Sequence, residues 1–305
     1  MSILLPPALK KGDTIGITCP AGYLPATKAS ICIHTLQEWG YEVMVGKTVG
    51  SNSKLYFSAS DEDRRYEFQA MLNNPEIKAI LFGRGGYGCS RIIDQLDFKA
   101  FKKNPKWLIG FSDITLIHAH VFSNFSIATL HAPMASAFQL KNNDNTYIHH
   151  LHQCLKGKKY SINCEPHPLN RIGKITAPLI GGNLALLTHA IGTKSDIDTR
   201  GKILFLEDIG EYLYNTDRML QQMKRAGKLK NLAGLIYGGF TDTKDTERPF
   251  GKTIDQILAD AVSEYDYPVC MHFPISHERE NYAVKIGAMH ELNIRAGKVT
   301  LKQVD

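Results

Sequence analysis

The order in which apolar strand-like segments and helix-like segments alternate through the first half of the chain restricts its fold more than any other feature. Thr14–Thr18 has a short strand pattern and runs into the loop Cys19-Pro-Ala-Gly22, and a helical stretch over 26–39 stops at Gly40. Residues 41–45 read as the next strand, and Ser60-Asp-Glu-Asp63 opens another helix with acidic residues in its first turn, where the helix dipole favours them. Ile77–Phe82 is a buried-type strand that leads into Gly83-Arg-Gly-Gly-Tyr-Gly88. Residues 106–110 form a further strand, followed by Ser112-Asp113 and a helical segment. This βαβα rhythm predicts an α/β protein with a Rossmann-like parallel sheet covered by helices on both faces.

The pattern changes beyond Lys141, where 141–171 is polar, rich in Asn, His and Lys, and contains Pro166 and Pro168. Composition of this kind predicts a linker. Residues 1–150 are therefore expected to form an N-terminal domain, 151–171 a linker, and 172–305 a smaller C-terminal α/β domain. In the second half, residues 178–183 lead into an apolar helix over 184–191, and 202–206 form a strand ending in Glu207-Asp208. A helix covers 216–226 with its stop at Gly227, and 235–240 read as another strand. With 305 residues the chain is long enough for two domains of ordinary size.

The composition, 43% hydrophobic and 22% charged, is globular. Net charge is +6, from 36 basic and 30 acidic residues, but the basic residues are scattered. No basic stripe with interleaved aromatics marks a nucleic-acid surface, so no nucleic-acid partner is expected. Six cysteines lie far apart with no CxxC pair, which reads as reduced thiols in a reducing compartment. The N-terminus lacks signal-peptide features and no stretch approaches about 20 apolar residues. Cytoplasmic location without membrane attachment is the expectation.

Three residues stand where catalysis would need them. Ser112 follows a strand, with Gly110 before it, and precedes an apolar helix. A sharp strand-to-helix turn would expose its hydroxyl and let the next N–H, that of Asp113, help hold an oxyanion. The full G-x-S-x-G elbow is absent, since Ile114 occupies the last position, and a serine capping the following helix fits the same pattern. Glu207 ends an apolar strand, a favourable place for a site carboxylate and equally a place for a cap or surface charge. His277 lies in a loop after the strand-like 268–271; taken alone, it reads as a solvated histidine. The Gly83–Gly88 stretch permits close backbone approach to a ligand, although a tight structural turn or a nucleotide loop has the same glycines. Ser, then acid, then His is the chain order of α/β-hydrolase triads. His118, His120, His149, His150 and His152 do not match the H-E-x-x-H zinc spacing, and no metal or other cofactor is expected.

Across nearly its whole length the sequence resembles the LD-carboxypeptidase family, the muramoyltetrapeptide carboxypeptidases, which also includes microcin C self-immunity peptidases. The resemblance rests on Gly16-Ile-Thr-Cys-Pro-Ala-Gly22, Arg84-Gly-Gly-Tyr-Gly88, Ile109-Gly-Phe-Ser-Asp113, His131-Ala-Pro133, Gly181-Gly-Asn-Leu184, Leu206-Glu-Asp-Ile-Gly-Glu211 with Asp217-Arg218, and Ser276-His277. Ala132 and Ser276 depart from the glycines usual there. The resemblance implies Ser112, Glu207 and His277 as a catalytic triad, with the backbone of Asp113, Gly85 and Gly86 at the oxyanion. Arg84 would bind the terminal carboxylate, a structural ion pair being its other reading. It also implies a serine L,D-carboxypeptidase that releases terminal D-alanine from a murein tetrapeptide, acting as a homodimer. Two alternatives stay open at this point: a peptidyl-nucleotide amidase of the microcin C type, and a non-catalytic nucleotide- or sugar-binding module.

Overall fold

The computed structural model describes residues 3–138 and 146–304, so the first residues of the polar stretch that begins at Lys141 lie outside the described residues. The chain forms two compact units. The first contains residues 1–158 and 283–285, the second 159–282 and 286–305.

In the first unit the elements follow as β1 (Thr14–Thr18), α1 (Ala26–Glu38), β2 (Glu42–Val45), α2 (Asp61–Asn73), β3 (Ile77–Phe82), α3 (Cys89–Ile92), α4 (Lys99–Lys103), β4 (Trp107–Gly110), α5 (Thr115–Phe125), β5 (Thr129–His131) and α6 (Thr146–Leu155). The β1–β5 strands pair in parallel. Ser60 caps α2, its hydroxyl accepting the Asp63 N–H at 3.1 Å, and the three acidic residues of that first turn meet the positive end of the helix. Ile15, Ile17, Ala79, Ile80 and Leu108 are fully buried, as expected of strands covered on both faces. The stretch 151–155, read as the start of a linker, completes α6 instead. Its apolar positions Ile148, Leu151, Cys154 and Leu155 are buried on one face, a helical spacing that the surrounding His and Asn residues mask in composition.

The second unit contributes β6 (Ser161–Cys164), β7 (Gly173–Asn183), α7 (Leu184–Ala190), β8 (Ile203–Ile209), α8 (Leu213–Arg225), β9 (Gly234–Thr241), α9 (Ile254–Ala261) and β10 (Val269–Cys270). After β11 (Val284–Ile286) come β12 (Met289–Arg295) and β13 (Lys298–Gln303). With β11 introduced, the strand order of the first sheet is β11-β5-β4-β3-β1-β2. That order turns back at β1 and β3, and a crevice beyond the strand ends at such a reversal is where open α/β sheets bind ligands. The second sheet runs β10-β9-β8-β7-β12-β13-β6. Its β7–β10 half is parallel, and β7, β12, β13 and β6 pair antiparallel. Among the described residues no helix is long and apolar enough to cross a membrane.

Candidate active site

The first unit builds a sharp strand-to-helix elbow at Ser112. Ser112 directly follows β4 and Phe111, has φ of 63°, and starts a short 3-10 turn that runs into α5. Left-handed backbone is costly for a residue with a Cβ, so the tightness of this turn is enforced by its surroundings. Asp113, buried beneath it, accepts the Cys89 N–H on Oδ2 at 2.8 Å. That bond joins the elbow to the end of the glycine-rich turn. His118, one turn into α5, donates from Nε2 to the Gly110 carbonyl at 2.8 Å. Burial pushes the His118 imidazole down to about 4, against the smaller opposite effect of that hydrogen bond, so it stays neutral at physiological pH. Its ring anchors the last strand residue before the elbow.

The glycines of the turn after β3 are needed for contact with this serine. A Cβ on Gly85 would lie 2.8 Å from Ser112 Cβ, 2.9 Å from its Oγ and 3.4 Å from the Asp113 backbone nitrogen. Only a residue without a side chain lets the backbone approach Ser112 so closely. Gly86 has φ of 98°. Among the described residues, neither the Gly85 nor the Gly86 N–H has a hydrogen-bond acceptor, which suits an anion-holding turn. Arg84 is exposed and donates to the Tyr23 carbonyl at 3.2 Å. It makes no ion pair among the described residues, so the structural ion pair considered for it is not formed.

Behind this turn sits Arg64, a fully buried residue that the sequence reading passed over. Its guanidinium donates to the Pro20 and Gly88 carbonyls and to Asp61. It thereby holds the loop after β1 against the loop after β3. Nothing in the local pattern of α2 marks it, because a buried and an exposed arginine in an acidic first turn read alike.

The second unit builds an imidazole–carboxylate pair. Glu207, on β8, is completely buried, and its Oε2 lies 2.5 Å from His277 Nδ1. With Nδ1 committed to the carboxylate, any proton transfer at this ring would use Nε2. Burial would lower the His277 pKa; the Glu207 charge, the hydrogen bond to it and the nearby Asp208 charge outweigh that and raise it above 6.5. Asp208, the other carboxylate at this strand end, has a different task. Its oxygens accept the Asn183 side-chain amide at 2.9 Å and the Ala185 N–H at 3.0 Å, which fixes the start of α7. Burial and the Glu207 charge push Asp208 up to about 6.

Two glycines on β9 make room for the histidine. The β8–β9 register slips at this point, Leu206 pairing with Tyr237 and Asp208 with Phe240. Glu207 therefore faces a bulge formed by Gly238 and Gly239. A Cβ on Gly238 would lie 2.1 Å from the Ile275 carbonyl oxygen, and one on Gly239 would lie 2.4 Å from Ser276 Cβ. The bare backbone lets the His277 loop lie directly on the strand, with Gly239 N–H donating to the Ile275 carbonyl at 2.9 Å. Ser276 ties that loop. Its hydroxyl donates to the Glu280 carbonyl and accepts the Glu278 N–H, both at 3.0 Å. Consecutive glycines inside an apolar strand were the signal that could have marked this bulge.

Thus the structure brings Gly85 to Ser112 and His277 to Glu207, and it assigns the two pairs to different units. Comparison with known proteins gives a consistent picture. Residues 15–132 match the model of the LD-carboxypeptidase N-terminal domain, and 176–292 that of the LD-carboxypeptidase C-terminal domain. The chain is 36% identical to the probable murein peptide carboxypeptidase of Bacillus subtilis (strain 168), covering 94% of this chain and 91% of that one. It is 25% identical to the murein tetrapeptide carboxypeptidase of Pseudomonas aeruginosa, covering 90% and 91%. The crystal structure of muramoyltetrapeptide carboxypeptidase from Oxalobacter formigenes superposes with a TM-score of 0.86 at 29% identity, over 96% of this chain and 99% of that one.

Proposed function

The chain belongs to the LD-carboxypeptidase family, and from that premise we propose that it is a serine carboxypeptidase releasing the terminal D-alanine of murein tetrapeptides. Ser112 is the nucleophile, His277 the general base and Glu207 the carboxylate that orients it. The observation that carries this reading is the 2.5 Å bond between a wholly buried Glu207 and His277 Nδ1. A carboxylate buried at such a desolvation cost is best accounted for by an imidazolium that forms beside it during turnover.

In the proposed reaction His277 Nε2 takes the proton of Ser112 Oγ as the oxygen attacks the carbonyl carbon of the bond to D-alanine. The residue on the acyl side is the L-centre of diaminopimelate or lysine. Negative charge on the carbonyl oxygen is met by backbone N–H groups of Asp113 and of the Gly85-Gly86 turn; losing one such donor typically costs about 10²–10³ in rate. The C–N bond then breaks, and the departing amine takes its proton from His277. Water attacks the acyl ester, gives its proton to His277, and Ser112 is regenerated. The exposed Arg84 guanidinium, free of any ion pair among the described residues, is suited to bind the substrate's terminal carboxylate with two parallel hydrogen bonds.

We place this activity in the cytoplasm, in a homodimer whose partner is the murein peptide rather than a nucleic acid or a membrane. Scattered basic charge and six cysteines that form no disulfide support the absence of a nucleic-acid partner and the cytoplasmic placement. Mass spectrometry of defined tetrapeptides tests the activity: loss of one D-alanine is expected with the wild type. An intact tetrapeptide alongside cleavage of a peptidyl-nucleotide would overturn it. Light scattering after size exclusion tests the dimer.

A further inference from the structure

Three ligand-bearing side chains outside the proposed catalytic groups meet within the second unit. His167 precedes β7, Asp255 lies in the first turn of α9, and His272 follows β10. One carboxylate serves both rings: Asp255 Oδ1 is 2.8 Å from His272 Nε2, and Oδ2 is 3.6 Å from His167 Nε2. The two imidazoles stack with centroids 4.8 Å apart and planes inclined by 28°. A ligand atom from each of the three lies within 4.8 Å of the others. None is buried; the side chains of His167, Asp255 and His272 are 26%, 29% and 55% exposed, so an ion from solvent can reach them.

The spacing decides what such a group can hold. A tetrahedral zinc site with bonds near 2.0–2.1 Å places its ligand atoms about 3.4 Å apart. The two carboxylate–imidazole distances, 2.8 Å to Oδ1 and 3.6 Å to Oδ2, involve different oxygens of Asp255. The carboxylate therefore either chelates through both or turns to offer one, and the ligand atoms, which lie within 4.8 Å of one another, draw in by roughly 1 Å on binding. His272 has φ of 54°, a left-handed conformation that turns the chain sharply at the end of β10. Two neutral imidazoles and one carboxylate form a donor set that suits zinc, nickel or copper better than magnesium or calcium, which prefer all-oxygen shells. The carboxylate also offsets the positive end of α9, which alone would repel a cation.

We propose that His167, Asp255 and His272 form a binding site for a zinc-class divalent transition-metal ion, with water completing the shell. The site shares no residue with the proposed triad and its role is structural: it ties the segment before β7 and the segment after β10 to α9. Binding through His167 Nε2 moves the ring proton to Nδ1, which at present accepts the Leu169 N–H at 3.3 Å. That long hydrogen bond is given up in exchange for a metal bond.

The experiment is calorimetric titration of the metal-stripped full chain with zinc against a weak competing chelator, alongside two variants. One is Asp255→Asn. The other is His272→Asn, chosen because asparagine tolerates left-handed backbone. Expected are one zinc per chain, a raised melting temperature in its presence, and a loss of affinity of about 10-fold or more in each variant. Magnesium and calcium should give no heat. No binding by the wild type at micromolar free zinc, or zinc affinity unchanged in both variants, would overturn the proposal.

Discussion

Ser112 carries the conflict between stability and chemistry most openly. Its φ of 63° costs on the order of 1–2 kcal/mol for a residue with a Cβ. Ser112→Ala should abolish D-alanine release, and Ser112→Gly should abolish it equally while melting higher than Ser112→Ala by about 1 kcal/mol of stability. Equal or reversed stabilities of these two variants in chemical denaturation would remove strain from the account of the elbow. His277 gives a second residue-level test. Only its neutral form accepts a proton, and its pKa is raised above 6.5. The acid limb of kcat/KM should therefore lie above pH 6.5 and fall about tenfold per unit below it. Glu207→Gln removes the charge that raises the imidazole, so the limb should move to lower pH while kcat drops by about 10³-fold or more. The same shift governs stability. Because the folded pKa exceeds the unfolded one, the stabilisation from this pair is complete below about pH 6.5 and is lost as pH rises through the folded value. Glu207→Gln should accordingly destabilise more at about pH 5.5 than at about pH 9, as read by thermal melts.

At the scale of elements, the site depends on places where backbone replaces side chain. Gly85→Ala puts a methyl group 2.9 Å from Ser112 Oγ, and Gly239→Ala puts one 2.4 Å from Ser276 Cβ under the His277 loop. Both should lower kcat by about 10²-fold or more, measured as D-alanine release at saturating tetrapeptide. Arg64→Met leaves the Pro20 and Gly88 carbonyls without their buried donor. It should destabilise the chain by about 3 kcal/mol in urea unfolding. The strands and helices that hold these positions were readable where one period runs unbroken: β1, β3 and β4 as apolar runs, and α2 from its Ser60 cap and acidic turn. Ser112, Glu207 and His277 each sit at a strand end or in a following loop, but position alone left a helix cap, a surface charge and a solvated histidine open, and it was the family resemblance that joined them into a triad. Other features had no local signature. Arg64 is distinguished only by burial, and His118 only by the carbonyl it reaches eight residues back. The Gly238-Gly239 pair was visible as letters, but its purpose depends on Ile275 and Ser276, in a loop that arrives much later in the chain.

For the molecule as a whole, the last quarter of the chain was the least readable. β12 and β13 form an antiparallel hairpin in which Glu291, Asn293 and Thr300 alternate with buried Leu292, Ile294, Val299 and Leu301, a period interrupted by the short turn between the strands. β11 is harder still, three residues long with a lysine at its centre. That Lys285 is 4% exposed, its ammonium lying 5.7 Å from the Trp107 ring centroid, so a charge in the sequence hides a strand in the sheet. β11 nonetheless covers β5 in the first sheet, although residues 159–283 lie between it and the end of that unit's main segment. A fragment ending at residue 158 would leave β5 as a bare edge. It should aggregate or self-associate on size exclusion where the full chain does not form such species.

That late strand also bears on how the protein is made. A ribosome adding about 5–20 residues per second emits β1–β5 early, yet the sheet they begin stays open until residues 284–286 emerge, a wait on the order of ten seconds. The domain synthesised first is thus still incomplete when most of the second has already been made. During that interval a nascent chain exposes β5 to any neighbouring nascent chain, so its yield should depend on polysome crowding and chaperone supply as well as on the stability of the finished molecule.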